Sequence, residues 1–469
     1  MKQFLAVVLC LLVMLSPIMS SPAMADTAID ITNLMGYPVD PSFQPKGGSI
    51  VVDAATAQII WAEDIHKPWA PASLTKLMVL YLAYQAIDRG EFDEQTMVRV
   101  TPEISQLSAY TELSNNWMPV DAEYSVSELI DLLIIPSSAA GTMLLVYQMG
   151  LTHGEIVDLM NQTAKDLNMK QTHFHNAIGA PNAVLGPFLP EGKPLEGDNQ
   201  SNAHDFAILS SQLVKEFPRV LNHSSKLTTV VRPGTALEDS FTTFNYSLQG
   251  AAYGLEGLDG LKTGSSGPAA YNFTTTAQRG DTRLVEVVLG VGDWFIKESE
   301  TVRSLIGNSL LEKAFREYEY RLVLPKGEHT INGQTIVTED DFYDTVPKNQ
   351  DITFDLQPSN PGPDTGRLIV DLEREYLAGY QAPNVAYQVV TEPEPEPIIP
   401  EPEMPETSEQ SIADPSDPPE DAGNTGVKRS IFTLSLYLAA LLIPLFLLRT
   451  LVLRFLRQRL KSNKRKKRR

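Results

Sequence analysis

The sequence of 469 residues predicts an α+β fold, and three observations carry that reading. Apolar residues recur at helical spacing in several runs between 73 and 215. Three runs of β-type residues between 257 and 291 follow one another with only tight turns between them, so those strands pair antiparallel. From 320 to 390 the pattern changes to short β-type runs separated by Pro, Gly, Asn and Asp, which predicts a small all-β domain behind the mixed one.

The chain opens with Met1-Lys2, an apolar run from Phe4 to Leu15 and small residues ending Ala23-Met24-Ala25 before Asp26. This is the layout of a secretory signal with an A-x-A cleavage site; the alternative is an uncleaved N-terminal anchor. Ile50–Asp53 and Ile59–Ala62 read as a strand hairpin. Ser73–Asp88 reads as a helix, with Leu74, Leu77, Met78, Tyr81, Leu82, Tyr84 and Ile87 at the apolar positions and Gly90 at the stop. Further helices are expected over Val126–Ile135, Thr142–Gln148, Glu155–Leu167 and Ala203–Lys215. Strands are expected over Gly257–Thr263, Asn272–Gln278 and Arg283–Val291, with Arg279-Gly280-Asp281 as turn chemistry between the last two. The all-β stretch offers strands such as Arg321–Leu324, Gln334–Val337, Asp351–Leu356 and Arg367–Leu372 and no catalytic cluster, so a spacer or docking role is expected of it.

Residues 392–427 begin Glu-Pro-Glu-Pro-Glu-Pro and stay rich in Pro, Glu and Asp, a stiff, self-repelling stalk. Ile431–Leu448 is 18 residues without a charge, long enough for a membrane helix, and Pro444 is tolerated there. Eleven basic residues lie between Arg449 and Arg469, against only Lys428 and Arg429 on the other flank. The positive-inside rule then places the C-terminus in the cytoplasm and the body on the extracytoplasmic face of a single-pass protein. The expected division is a signal over 1–25, a mixed domain over 26–319 and a β-rich domain over 320–391. A linker over 392–429, a transmembrane helix over 430–453 and a polybasic tail over 454–469 complete it.

Composition excludes several classes. With 38 Lys and Arg against 58 Asp and Glu, the net charge of −20 does not suit a general nucleic-acid binder. The single cysteine, Cys10, falls in the signal, so a disulfide scaffold, a cysteine nucleophile and a thiolate metal site all drop out. The seven histidines contain no H-E-x-x-H, and nothing in the sequence demands a metal or an organic cofactor.

Two motifs carry chemistry. Ser73-Leu74-Thr75-Lys76 stands at the start of a predicted helix, where residues i and i+3 share a face and free N–H groups favour developing negative charge. A serine hydroxyl needs a neighbouring base, and a partly buried lysine can supply one. Alone, the spacing equally fits an N-cap serine and a solvated lysine. Lys262-Thr263-Gly264 lies near the end of a predicted strand: the lysine can keep a site positive, the threonine can donate to a carboxylate, and glycine lets a substrate backbone approach. Alone, it fits an edge-strand lysine before a turn.

In this order the two motifs, with Pro71-Ala72 before the first and Gly257-Leu258-Asp259-Gly260-Leu261 before the second, resemble the low-molecular-mass penicillin-binding proteins of the D-alanyl-D-alanine carboxypeptidase family. Ala269–Asn272 and Met169–Asn176 strengthen the resemblance, which covers about residues 28–390. It implies a penicillin-binding, β-lactamase-like transpeptidase domain acting on peptidoglycan outside the membrane. It implies Ser73 as nucleophile, Lys76 as base and Ser137 as proton relay. Lys262, Thr263, Gly264 and Ser265 would form the substrate-binding strand, with the backbone N–H groups of Ser73 and Ser265 at the oxyanion. The implied partners are a stem peptide ending D-Ala-D-Ala, β-lactams as covalent inhibitors, and the membrane. The family's middle motif, S-x-N, is altered here to Ser137-Ser138-Ala139. The family asparagine contacts the acyl side of the substrate and the base lysine, and alanine can do neither. A lost buried hydrogen bond costs ~1–3 kcal/mol, about ten- to a hundredfold in rate. That leaves open a slow enzyme, a different partner for Lys76, or a catalytically quiet wall-binding or scaffolding relative. A serine β-lactamase or esterase on a related fold is the third class.

Overall fold

Alternation of apolar side chains along the strands gives the molecule its frame. In a computed structural model, which describes residues 26–359 and 364–390, the first domain contains nine helices and nine strands in the following order. They are α1 (Ala28–Leu34), β1 (Gly48–Asp53), β2 (Ile59–Glu63), α2 (Lys76–Asp88), β3 (Met97–Arg99), α3 (Pro102–Ser108), β4 (Glu123–Ser125), α4 (Val126–Ile134) and α5 (Ala139–Gln148). Then come α6 (His153–Asp166), α7 (Ala203–Glu216), α8 (Leu221–Ser224), β5 (Thr228–Val231), β6 (Asp239–Thr242), β7 (Leu258–Ser266), β8 (Ala270–Arg279), β9 (Thr282–Val291) and α9 (Glu298–Glu317).

The main sheet is antiparallel, in the order β2-β1-β9-β8-β7. Successive strand residues point to opposite faces. Ile50, Val52, Val285, Val287 and Leu289 therefore join the core of the helical subdomain, whereas Val51, Leu284, Val288 and Val291 pack with α1 and α9. Helix α2 runs through the first of these cores with 10 of its 13 residues buried, which is why its sequence is apolar on nearly every side.

The predicted helix over Ser73–Asp88 is corrected at its start. Residues Ala72–Thr75 form a 3-10 turn, and the α-helix begins at Lys76. Helix α5 begins at Ala139, three residues before the expected Thr142, because the Ser138 hydroxyl caps it by accepting from the Gly141 N–H at 3.0 Å. The long helix α9 had no sequence expectation. Its buried face mixes Val302, Ile306, Leu310 and Phe315 with Ser299, Arg303, Ser304 and Ser309, and those polar residues hide the apolar stripe.

The second domain is all-β: β10 (Tyr318–Leu324), β11 (Gly327–Ile331), β12 (Gln334–Thr338), β13 (Phe342–Pro347), β14 (Phe354–Pro358), β15 (Thr365–Val370) and β16 (Val385–Val389). Five strands form one sheet, β11-β12-β16-β15-β14, around Ile336, Val346, Leu368, Val370 and Tyr387, while β10 pairs with β13. Between β15 and β16 the chain returns to the first domain. Arg374 bonds both Asp344 and Gln58, the Leu377 N–H donates to the Ala57 carbonyl at 3.0 Å, and Leu377 is buried in the core of the helical subdomain. Among the described residues, no helix is long and apolar enough to cross a membrane. The expected signal, linker, transmembrane helix and basic tail lie outside the described residues.

Candidate active site

Ser73 sits in the 3-10 turn that leads into α2, where β7 passes close by. Ala72 before it has φ +48°, a left-handed conformation that costs a non-glycine residue about 1–3 kcal/mol and persists only where surroundings hold it. One helical step on, Lys76 is 1% exposed, and its Nζ lies 3.0 Å from the Ser73 Oγ and 2.8 Å from the Ile178 carbonyl oxygen. Burial with no carboxylate among its bonding partners lowers the Lys76 pKa to about 7. A neutral amine at that distance can accept the serine proton.

The Ile178 carbonyl is itself held. Asn176 Oδ1 accepts from the Ile178 and Gly179 N–H groups at 3.0 and 2.6 Å. Asn199 Oδ1 accepts from His175 and Asn176, while its Nδ2 donates to the Thr75 hydroxyl at 2.9 Å. Gly179 has φ +87°, and a Cβ there would overlap the Ala72 carbonyl, so glycine lets this turn close on the turn that carries Ser73. Met169–Asn176, noted as a string in the sequence, thus leads into a clamp on the lysine.

β7 brings the second motif alongside. A Cβ on Gly264 would lie 2.9 Å from the Pro71 carbonyl oxygen and 3.1 Å from the Ser73 nitrogen, so only glycine permits this approach. Lys262 is 1% exposed and donates to the Thr263 carbonyl at 2.9 Å; burial first, then the positive charges of Lys76 and Arg303, push its pKa well down. Arg303, from α9, is equally buried, and donates to the Asn272 and Phe244 carbonyls at 3.0 and 3.1 Å, leaving its Nε without a partner. Burial lowers the pKa of all three basic groups, least consequentially for Arg303, which stays charged beside Glu300 on the same cavity wall and is the cation an anion would meet there.

Two cavities meet at Ser73. One of about 270 Å³ is walled by Ser73, Ser137, Thr263, Gly264, Ser265 and Arg303, among others. The other, of about 580 Å³, shares Ser73, Ser114, Ser265 and Trp294 with it. The structure thus places five expected site residues, Ser73, Ser137, Thr263, Gly264 and Ser265, on one cavity wall, with Lys76 and Lys262 buried by it. Ser137 has φ +63°, and its hydroxyl is buried without a hydrogen-bond partner. Ala139 is 1% exposed and borders neither cavity. Among the described residues, no cluster of His, Cys, Asp or Glu suits a metal ion.

Sequence reasoning missed Ser114, Phe244, Trp294, Glu300 and Arg303, all on the smaller cavity's wall. Arg303 had one usable signal, an arginine beside Val302 on a stripe that continues through Ile306 and Leu310. Trp294-Phe295-Ile296 had another, three exposed apolar residues in a row after β9. Ser114 had none.

Residues 42–293 match the D-alanyl-D-alanine carboxypeptidase family, and residues 320–388 match a domain of unknown function, DUF1958. The D-alanyl-D-alanine carboxypeptidase DacF of Bacillus subtilis is 25% identical over 271 residues, 58% of this chain and 62% of that relative, so the match spans less than two thirds of its length. DacD of Salmonella typhimurium is 24% identical over 340 residues, 70% of this chain and 78% of the relative. Among solved structures, PBP3 of Streptococcus pneumoniae, described as a peptidoglycan synthesis regulatory factor, superposes with a TM-score of 0.62 at 24% identity, over 74% of this chain and 98% of that one. Penicillin binding protein 5 from Haemophilus influenzae does so with a TM-score of 0.57 at 20% identity, over 75% and 98%. These superpositions establish the penicillin-binding-protein fold with its following all-β domain. Because the family match covers more than half of its residues, the chain belongs to the D-alanyl-D-alanine carboxypeptidase family.

Proposed function

We propose that this protein is a serine-type carboxypeptidase that removes the terminal D-alanine from peptidoglycan stem peptides through an acyl-enzyme on Ser73. One observation carries the reading: a buried Lys76, with its pKa lowered to about 7, lies 3.0 Å from the Ser73 hydroxyl. The neutral amine takes the Oγ proton as Oγ bonds to the carbonyl carbon of the penultimate D-alanine. The backbone N–H groups of Ser73 and Ser265 donate to the resulting oxyanion; such a donor is worth about 10²–10³ in rate. The C–N bond then breaks, and the departing amine takes a proton relayed through Ser137. Water adds to the ester with Lys76 again as base, releasing the shortened peptide and restoring Ser73. Thr263 holds the terminal carboxylate in the field of Lys262 and Arg303. An amine from a second stem in place of water would make the same acyl-enzyme a transpeptidase. β-Lactams, which resemble the terminal dipeptide, would acylate Ser73. Export and anchoring rest on the sequence alone, through residues 1–25 and 430–469.

The test is covalent labelling of the full-length protein in detergent by a fluorescent penicillin, beside Ser73→Ala. Label that disappears in the variant supports the reading. Absence of label at high concentration and long times overturns it in favour of an impaired wall-binding relative, which Ala139 and the unpartnered Ser137 hydroxyl favour. Rapid turnover of the penicillin points instead to a β-lactamase.

A further inference from the structure

We infer that Ser114 makes the contact to the substrate's acyl side that the alanine at position 139 cannot make, an inference that rests on the acyl-enzyme reading above. The sequence near Ala139 offers no amide side chain to replace the missing asparagine. The fold offers a hydroxyl from elsewhere. The loop between α3 and β4 lies directly against the start of α5. The Ala139 N–H donates to the Ser114 carbonyl at 2.8 Å, and the Ala140 N–H donates to the Asn115 Oδ1 at 2.9 Å. The same Asn115 side chain ties the loop back to its own stem, donating to the Leu107 and Tyr110 carbonyls at 2.8 and 3.1 Å. Ser114 is therefore fixed in position relative to residue 139 by bonds on both sides of the contact.

Its side chain has no hydrogen-bond partner in the structure, and the residue is exposed to the cleft. Of the residues 111–116, Ser114 borders both cavities that meet at Ser73, while Thr111, Glu112 and Leu113 border only the larger. Asn116 is buried and borders neither. A hydroxyl both donates and accepts, so it can meet either half of an amide. The smaller cavity holds Thr263 and Arg303, the groups assigned above to the terminal carboxylate. A side chain shared with the other cavity is placed for the amide on the far side of the scissile bond. The ligand class is an acyl group with an amide next to the reacting carbonyl: the preceding peptide bond of a stem peptide, or the side-chain amide of a penicillin.

The experiment compares second-order acylation of full-length wild type, Ser114→Ala, Ser114→Thr, Ala139→Asn and the Ser114→Ala/Ala139→Asn double variant by a fluorescent penicillin, with the melting temperature of each recorded. Ser114→Ala should slow acylation about tenfold, the loss of one hydrogen bond to substrate, and Ser114→Thr should keep the rate within about twofold. In the Ala139→Asn background, Ser114→Ala should cost less than about twofold, because the restored amide makes the contact redundant. Acylation by 6-aminopenicillanic acid, which has no side-chain amide, should be unchanged by Ser114→Ala when measured by competition. A purely structural role would slow both penicillins alike and overturns the inference. So does a Ser114→Ala rate equal to wild type, which leaves the enzyme reading standing. Label on Ala139→Asn but not on wild type also overturns it, since the loop then fails to stand in. Absence of label on every variant overturns both readings. If Ala139→Asn fails to fold, the Ser114→Ala and Ser114→Thr pair with the two penicillins decides.

Discussion

Lys76 has a hydroxyl and a carbonyl for hydrogen-bond partners, and its burial makes the neutral amine available near physiological pH. The base is the deprotonated form, so acylation by penicillin should rise with pH through an inflection near 7 and level off above it; a rate flat from pH 5.5 to 8.5 would contradict this. Lys76→Arg keeps a cation that cannot lose its proton, and should lower acylation about 10²–10⁴-fold, read by the same label. Gly264→Ala puts a methyl group 2.9 Å from the Pro71 carbonyl and 3.1 Å from the Ser73 nitrogen, so it should slow acylation and also lower the melting temperature, as overpacking against fixed backbone does. Ser73, Lys76, Lys262, Thr263 and Gly264 were legible as candidates because each of their motifs is a local string whose spacing carries chemistry, whereas Ser137 and Ser265 came only through the family resemblance. Ser114 and Arg303 were not legible, because the fold brings them to Ser73 across 41 and 230 residues, and the stripe beside Arg303 marks a buried helix face without showing which site it reaches.

Elements differ in how openly they declare themselves. β7, β8 and β9 were legible from β-type runs separated by turns, and α4, α6 and α7 from apolar residues at helical spacing; in the structure Ser125, Thr152 and Asn202 cap those helices. α9 was concealed by the polar residues on its buried face, and that face also holds a test. Glu286 on β9 is fully buried where Gly307 of α9 closes over it, and bonds the Thr275 hydroxyl at 2.8 Å; burial raises its pKa to about 8. A carboxyl whose folded pKa is raised stabilises the fold relative to its ionised form below the unfolded value near 4.5, and that advantage is lost as pH rises through about 8. Wild type should therefore lose stability relative to Glu286→Gln as pH rises across that window, by at most ~1.4 kcal/mol per pH unit, measured by denaturant titration at several pH values. A constant difference would place the proton elsewhere.

At the scale of the whole molecule the two domains share buried ties. Arg374 and Asp344 form an ion pair that is 5% and 0% exposed, joined to Gln58 of the first domain. Removing one partner strands the other charge, so Arg374→Ala should cost about 3–5 kcal/mol, seen as a lowered melting temperature, while the folded fraction still acylates at the wild-type rate. The all-β character of this domain was legible in the sequence. Its return to the first domain through Leu377 was not, because a single leucine carries no sign of which core it enters. The strand order has a consequence in time. β1, made first, takes its place beside β9, made after more than two hundred further residues, and Ser73 meets Lys262 only when β7 joins the same sheet. Such non-local pairing forms slowly. A chain still emerging from its ribosome thus carries the serine and the lysine but not the assembled pocket. Activity would switch on only once the whole sheet has closed.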